Sequence, residues 1–157
     1  MRAVVLHGPG QLAVDEVPDP SILDPGDAIV AVRATAICGA DLFPFHGMTP
    51  GFEPGTILGH EFAGEVVEVG PAVRAVSPGD RVANTSMISD GTCPSCQAGR
   101  VTQCAGRWLF GYSGVYPRLD GGQAELVRVP HADRTLRRLP AEVTLYTVPP
   151  LESPLPV

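Results

Sequence analysis

Ile57-Leu58-Gly59-His60-Glu61-Phe62-Ala63-Gly64-Glu65-Val66-Val67-Glu68-Val69-Gly70 sets a His-Glu pair at the mouth of a β-strand that alternates towards a closing glycine. Taken alone, it reads as an ordinary strand ending on a glycine. Two neighbours change that reading. Upstream, Ala28 to Ile37 places Val30, Val32, Ala34 and Ala36 on one face and Arg33 and Thr35 on the other, a half-buried strand that delivers Cys38 at its end. Downstream comes a group of cysteines.

Turns punctuate the remainder. Arg2 to His7 is an opening strand, and Gly8-Pro9-Gly10 returns it into Leu12-Ala13-Val14. Gly8-Pro9-Gly10-Gln11-Leu12-Ala13 matches G-x-G-x-x-A after a strand, a dinucleotide fingerprint in form. The match fails on context, because Val14 to Pro20 holds two prolines and forms no helix whose N-terminus could receive a pyrophosphate. Asp24-Pro25-Gly26-Asp27 and Ser77-Pro78-Gly79-Asp80 are turns, the second leading into the strand Arg81-Val82-Ala83. Gly121-Gly122 starts a last strand over Gln123 to Pro130. Glycine (18) and proline (17) together exceed a fifth of the 157 residues, which favours short strands over long helices. The expected architecture is mainly β, a small partly open barrel with short helices.

Apolar residues make up 44% and charged residues 18%, the balance of a globular domain with a real core. A formal charge of −6 argues against nucleic acid or an anionic membrane surface as partner. The eleven basic residues are all arginine and are dispersed, so they mark no phosphate site. No apolar run of about 18 residues is present, and Met1 to His7 is too short for a signal peptide. The expected location is therefore the cytoplasm, where four cysteines suit metal better than disulfides.

Asp90, Cys93, Cys96 and Cys104 give D-x2-C-x2-C-x7-C. A C-x2-C loop can wrap two thiolates round one zinc at Zn–S distances of about 2.3 Å. Cys104 returns as a third thiolate, and Asp90 repeats the same two-residue spacing before Cys93. The alternatives are buried free thiols or a reducible Cys93–Cys96 disulfide. Cys38 and His60 stand 22 residues apart at strand ends. A lone cysteine is usually packing, and a lone histidine is usually a hydrogen-bonded core residue. Together, with Glu61 adjacent, they match catalytic zinc, which keeps an open position for water or a substrate oxygen.

Cys38-Gly39-Ala40-Asp41, Gly59-His60-Glu61 with Gly64 and Val69-Gly70, Gly79-Asp80-Arg81-Val82, the 90–104 lobe and Gly121-Gly122-Gln123-Ala124-Glu125 occur in one order and spacing. In these motifs the chain resembles the N-terminal, GroES-like catalytic domain of zinc-dependent medium-chain alcohol dehydrogenases, over residues 1 to about 140, with formaldehyde and alcohol dehydrogenases as the nearest version. The resemblance implies up to two zinc ions. Cys38 and His60 match catalytic ligands, and Glu61 matches a glutamate that can sit close to that zinc. Asp41 matches a carboxylate that hydrogen-bonds the ligand histidine. Cys93, Cys96 and Cys104 match structural ligands, and Asp90 stands in the place of the first. It further implies an alcohol or aldehyde substrate and NAD(P) as hydride carrier.

Two departures qualify that expectation. Ala40 and Phe43 stand where the family usually has a hydroxyl and a relay histidine, so the usual proton route is missing. The doubly wound cofactor domain has no counterpart within these residues. No clear third catalytic ligand is visible, Glu152 being the late acidic candidate. Residues 141–157 read as an irregular, Pro-rich tail. The expectations are the zinc and substrate part of an alcohol dehydrogenase-like oxidoreductase, inactive alone; a non-catalytic zinc-binding domain; or a truncated product that self-associates through a bared apolar face.

Overall fold

The computed structural model describes residues 1–145, so Glu152 and most of the Pro-rich tail lie outside the described residues. The chain runs through β1 (Arg2–Gly8), β2 (Gln11–Glu16), β3 (Ala28–Thr35), α1 (Leu42–Phe45), β4 (Thr56–Ile57), β5 (Phe62–Val69) and β6 (Arg81–Asn84). It continues through β7 (Met87–Ile88), α2 (Pro94–Gln97), β8 (Trp108–Leu109), β9 (Leu126–Val129), α3 (Ala132–Thr135) and β10 (Leu136–Arg138). Single 3-10 turns lie at Gly39–Asp41 and Val101–Gln103. The fold is mainly β with short helices, as expected. Its strands form sheets ordered β2-β1-β4, β10-β6-β5-β3-β9 and β7-β8 rather than one closed barrel.

The alternating pattern of β3 gives way at one end. Ala28 to Ala31 are buried on both faces, because β5 and β9 flank the strand and the core lies across it, whereas Val32 to Thr35 alternate. That core gathers Val30, Phe62, Val66, Val82, Phe110 and Val129, with Phe62 and Phe110 edge to face at 5.1 Å. A smaller cluster of Ala3, Val5 and Ile57 lies under the sheet of β1.

The 56–70 stretch is not one strand. Its apolar pattern runs through, but Gly59 adopts φ 97°, open to glycine and strained for other residues, and the chain changes sheets there. Thr56 and Ile57 pair with β1, whereas Phe62 to Val69 pair with β3. The last strand is shorter than expected for a similar reason. Ala124 bridges to Ala3 in the other sheet before Leu126 joins β3. The G-x-G-x-x-A segment is a hairpin turn, with β1 and β2 paired on either side of it.

Candidate metal centres

The change of sheet at Gly59 puts His60 and Glu61 beside the end of β3. Ala36 N and Thr35 Oγ1 each donate to the Glu61 carbonyl at 3.0 Å, joining the two segments. Asn84 holds the same backbone from β6. Its Nδ2 donates to the His60 carbonyl at 2.8 Å, and its Oδ1 accepts from Phe62 N at 2.8 Å. Cys38 is extended and leads into the 3-10 turn that presents Asp41. Asp41 Oδ2 accepts from Cys38 N at 2.9 Å and from Gln123 Nε2 at 3.4 Å. Tyr112 Oη supports the turn by donating to the Ala40 carbonyl at 2.9 Å.

His60 and Asp41 are both buried, and His60 Nδ1 lies 3.3 Å from Asp41 Oδ1. The contact has ion-pair distance without hydrogen-bond alignment, and among the described residues neither atom has a hydrogen-bond partner. A buried carboxylate oxygen and imidazole nitrogen left with only each other are strongly coupled. Burial, the largest single influence, pulls the His60 pKa down. The contacts with Asp41 and Cys38 and the attraction of both outweigh it, and the ring is pushed up to about 9. With Nδ1 turned to Asp41, Nε2 is the nitrogen left for a ligand.

One ligand atom from each of Cys38, His60 and Glu61 falls within 4.8 Å of the others. Thiol, imidazole and carboxylate together form a donor set that zinc accepts, and the orphaned His60–Asp41 contact fits a ring whose other nitrogen is meant to be occupied. At the two positions where a relay was expected, Ala40 has no hydroxyl and Phe43 is exposed. Ile37, Leu42 and Met48, in the same segment, are also exposed.

The second cluster is local. Cys93 precedes α2 with Pro94 at its first position, which starts the helix at no hydrogen-bond cost. Cys96 sits within α2, and Cys104 follows the second 3-10 turn. Ligand atoms of Asp90, Cys93, Cys96 and Cys104 fall within 4.8 Å of one another. All four cysteines of the chain are free thiols, so Cys93 and Cys96 form no disulfide. The amides of Cys96 and Ala105 draw the Cys93 thiol down, whereas burial pushes the Cys96 thiol up to about 11.

Every sequence-identified donor among the described residues thus joins one of two groups. The roles of Asn84, Gln123, Tyr112 and Thr35 are not legible in the sequence, because each acts through a backbone carbonyl or a carboxylate far along the chain. The only available signal was Gln123 within the Gly121-Gly122-Gln123 turn. A cleft of about 540 Å³, lined by residues including Val17, Ile57, Arg118 and Arg128, contains none of the donors.

Residues 24–141 match the family described as "Alcohol dehydrogenase GroES-like domain". The chain is 46% identical to zinc-type alcohol dehydrogenase B of Aspergillus flavus over 91% of its own length and 32% of that protein. It is 44% identical to the medium chain reductase/dehydrogenase ucsI of an Acremonium species, over 89% of this chain and 47% of that one. Alcohol dehydrogenase TADH from Thermus sp. ATN1 superposes with a TM-score of 0.89 at 41% identity, covering 92% of this chain and 42% of that one. The chain therefore spans between about a third and a half of the relatives' length.

Proposed function

Since this chain belongs to the alcohol dehydrogenase GroES-like domain family, we propose that it is the zinc-binding, substrate-facing part of an alcohol dehydrogenase-like oxidoreductase. The observation that carries this reading is the Cys38, His60 and Glu61 cluster with His60 backed by Asp41. Bound there, zinc would polarise an alcohol or aldehyde oxygen while a nicotinamide cofactor carries the hydride. The chain's own residues do the positioning. Cys38 offers a thiolate and His60 its Nε2. Asp41 keeps the proton on Nδ1, and Asn84 and Thr35 fix the backbone that aims His60 and Glu61. Cys93, Cys96 and Cys104, with Asp90, would hold a second zinc of structural kind.

Metal content tests the reading. The purified chain is expected to hold two zinc ions, falling to one in His60→Ala and to one in Cys96→Ser. A chain that never holds zinc at the Cys38 cluster contradicts it. Asp41→Asn is expected to weaken zinc at that cluster by about 10- to 100-fold, because the ring loses the group that sets its tautomer. Competition with a chromophoric chelator measures this, and an unchanged affinity removes the role given to Asp41.

The 157 residues are proposed to lack turnover without a nucleotide-binding partner, and NADH titration is expected to show no saturable binding. Saturable binding by this chain alone overturns that statement. The absence of proton-handling groups at Ala40 and Phe43 favours a second reading, a zinc-binding domain without catalysis. The two separate on adding a nicotinamide-binding half: oxidation of an alcohol restored by it rejects the second. Exposed Ile37, Leu42, Phe43 and Met48 are further proposed to drive self-association. Sedimentation should then show oligomers that dissolve in an Ile37→Glu/Phe43→Glu variant, and a monomer at high concentration refutes it.

A further inference from the structure

Asp90 differs from its three cysteine neighbours in having two donor atoms, and the fold uses them separately. Its Oδ1 accepts from Thr92 N at 2.7 Å, from Thr92 Oγ1 at 3.3 Å and from Cys93 N at 2.9 Å. Its Oδ2 turns the other way, to Cys104 Sγ at 3.2 Å. The Asp90 amide in turn donates to Cys104 Sγ at 3.4 Å. A side-chain oxygen that accepts from amides two and three residues ahead closes an Asx turn, which needs no metal to form. A cysteine at this position could supply a sulfur donor but only a weaker clamp, since sulfur is a weak acceptor.

We infer that Asp90 does more than serve as the fourth donor already proposed through Oδ2: its Oδ1 templates the chelating turn in the metal-free chain. Small zinc lobes ordinarily meet the ordering entropy and the binding in one step, which ties folding to metal. Here the turn that leads into Cys93 is closed by Asp90 itself, so less of the lobe is left for the metal to order. The ligand role rests on the zinc reading above. The templating role stands without it.

The test uses the whole chain, stripped of metal under reducing conditions, with amide hydrogen exchange and zinc affinity as separate readouts. In the metal-free wild type, the Thr92 and Cys93 amides are expected to exchange at least tenfold more slowly than in Asp90→Cys, which has no acceptor oxygen. Asp90→Asn keeps that acceptor and should retain the slow exchange, yet bind zinc at the lobe at least tenfold more weakly. Asp90→Cys should show the opposite pair: fast metal-free exchange, with zinc held as tightly as in the wild type or tighter. Equal exchange in metal-free wild type and Asp90→Cys overturns templating alone. Unchanged zinc affinity in Asp90→Asn overturns the ligand role, and loss of zinc binding by the wild-type lobe overturns the zinc reading itself.

Discussion

Gly121→Ala is expected to cost the fold about 3 kcal/mol or more, lowering the melting temperature by roughly 10 °C. A Cβ at Gly121 would lie 2.2 Å from the Gly59 carbonyl oxygen and 2.4 Å from that of Leu58. Both obstacles are backbone, so no side-chain rotation relieves them. The contact is tight because two segments run side by side: Gly121 N donates to Ile57 O, Gly122 N to Gly59 O and Gln123 N to Leu58 O, at 2.8 to 2.9 Å. Separating them displaces His60, so metal affinity at the Cys38 cluster should fall together with stability. Gly39→Ala is the control. It adjoins Cys38, yet its added Cβ meets nothing within 4 Å, and it should cost well under 1 kcal/mol. Chemical denaturation of both variants measures the difference. A Gly121→Ala chain as stable as Gly39→Ala would mean that the two segments are not in contact as described.

Cys93→Ser is expected to abolish the lobe's share of the zinc-dependent stability, whereas His60→Ala leaves that share in place. A metal that binds only the folded state stabilises it by RT ln(1 + [Zn]/Kd), about 4 kcal/mol at a thousandfold excess over Kd. The lobe is closed around its four donors, with Cys104 fully buried, so removing one thiolate forfeits nearly all of that gain. His60→Ala acts differently. It empties a buried site and deprives Asp41 Oδ1 of its contact, but Asp41 Oδ2 keeps the Cys38 and Gln123 donors. Its cost should therefore persist when zinc is chelated. Melting curves with and without a chelator distinguish the two, and equal chelator sensitivity in the two variants would contradict the assignment of the lobe as the metal-dependent unit.

Much of the fold is legible from residue type alone, and the limits have physical causes. Alternation from Val30 to Ala36 identified β3, because one end of that strand does face solvent on one side. The same signal concealed the break at Gly59: apolar residues occur on both sides of it, and only the partners, β1 before and β3 after, reveal that the strand changes sheets. β7 and β8 have two residues each, too few for any period to register. Cysteine, histidine and aspartate at tight spacings announce candidate donors, since few other roles need them together. Asn84 and Tyr112 gave no such notice. Their work is to hold carbonyls of His60 and Ala40, 24 and 72 residues away, and an asparagine or tyrosine in a sequence is chemically unremarked until that partner is known.

The switch of sheet at Gly59 also separates the two clusters by the span of chain each depends on. Asp90 and Cys104 are 14 residues apart, so the lobe closes through a short loop. His60 reaches its final position only when the 57–59 backbone meets 121–123, a joint that Ile57 and Asp120 close across 63 residues. Closing a loop of that length costs more chain entropy than closing the lobe. The lobe is thus a local unit, whereas the Cys38–His60 cluster depends on a joint between distant parts of the chain.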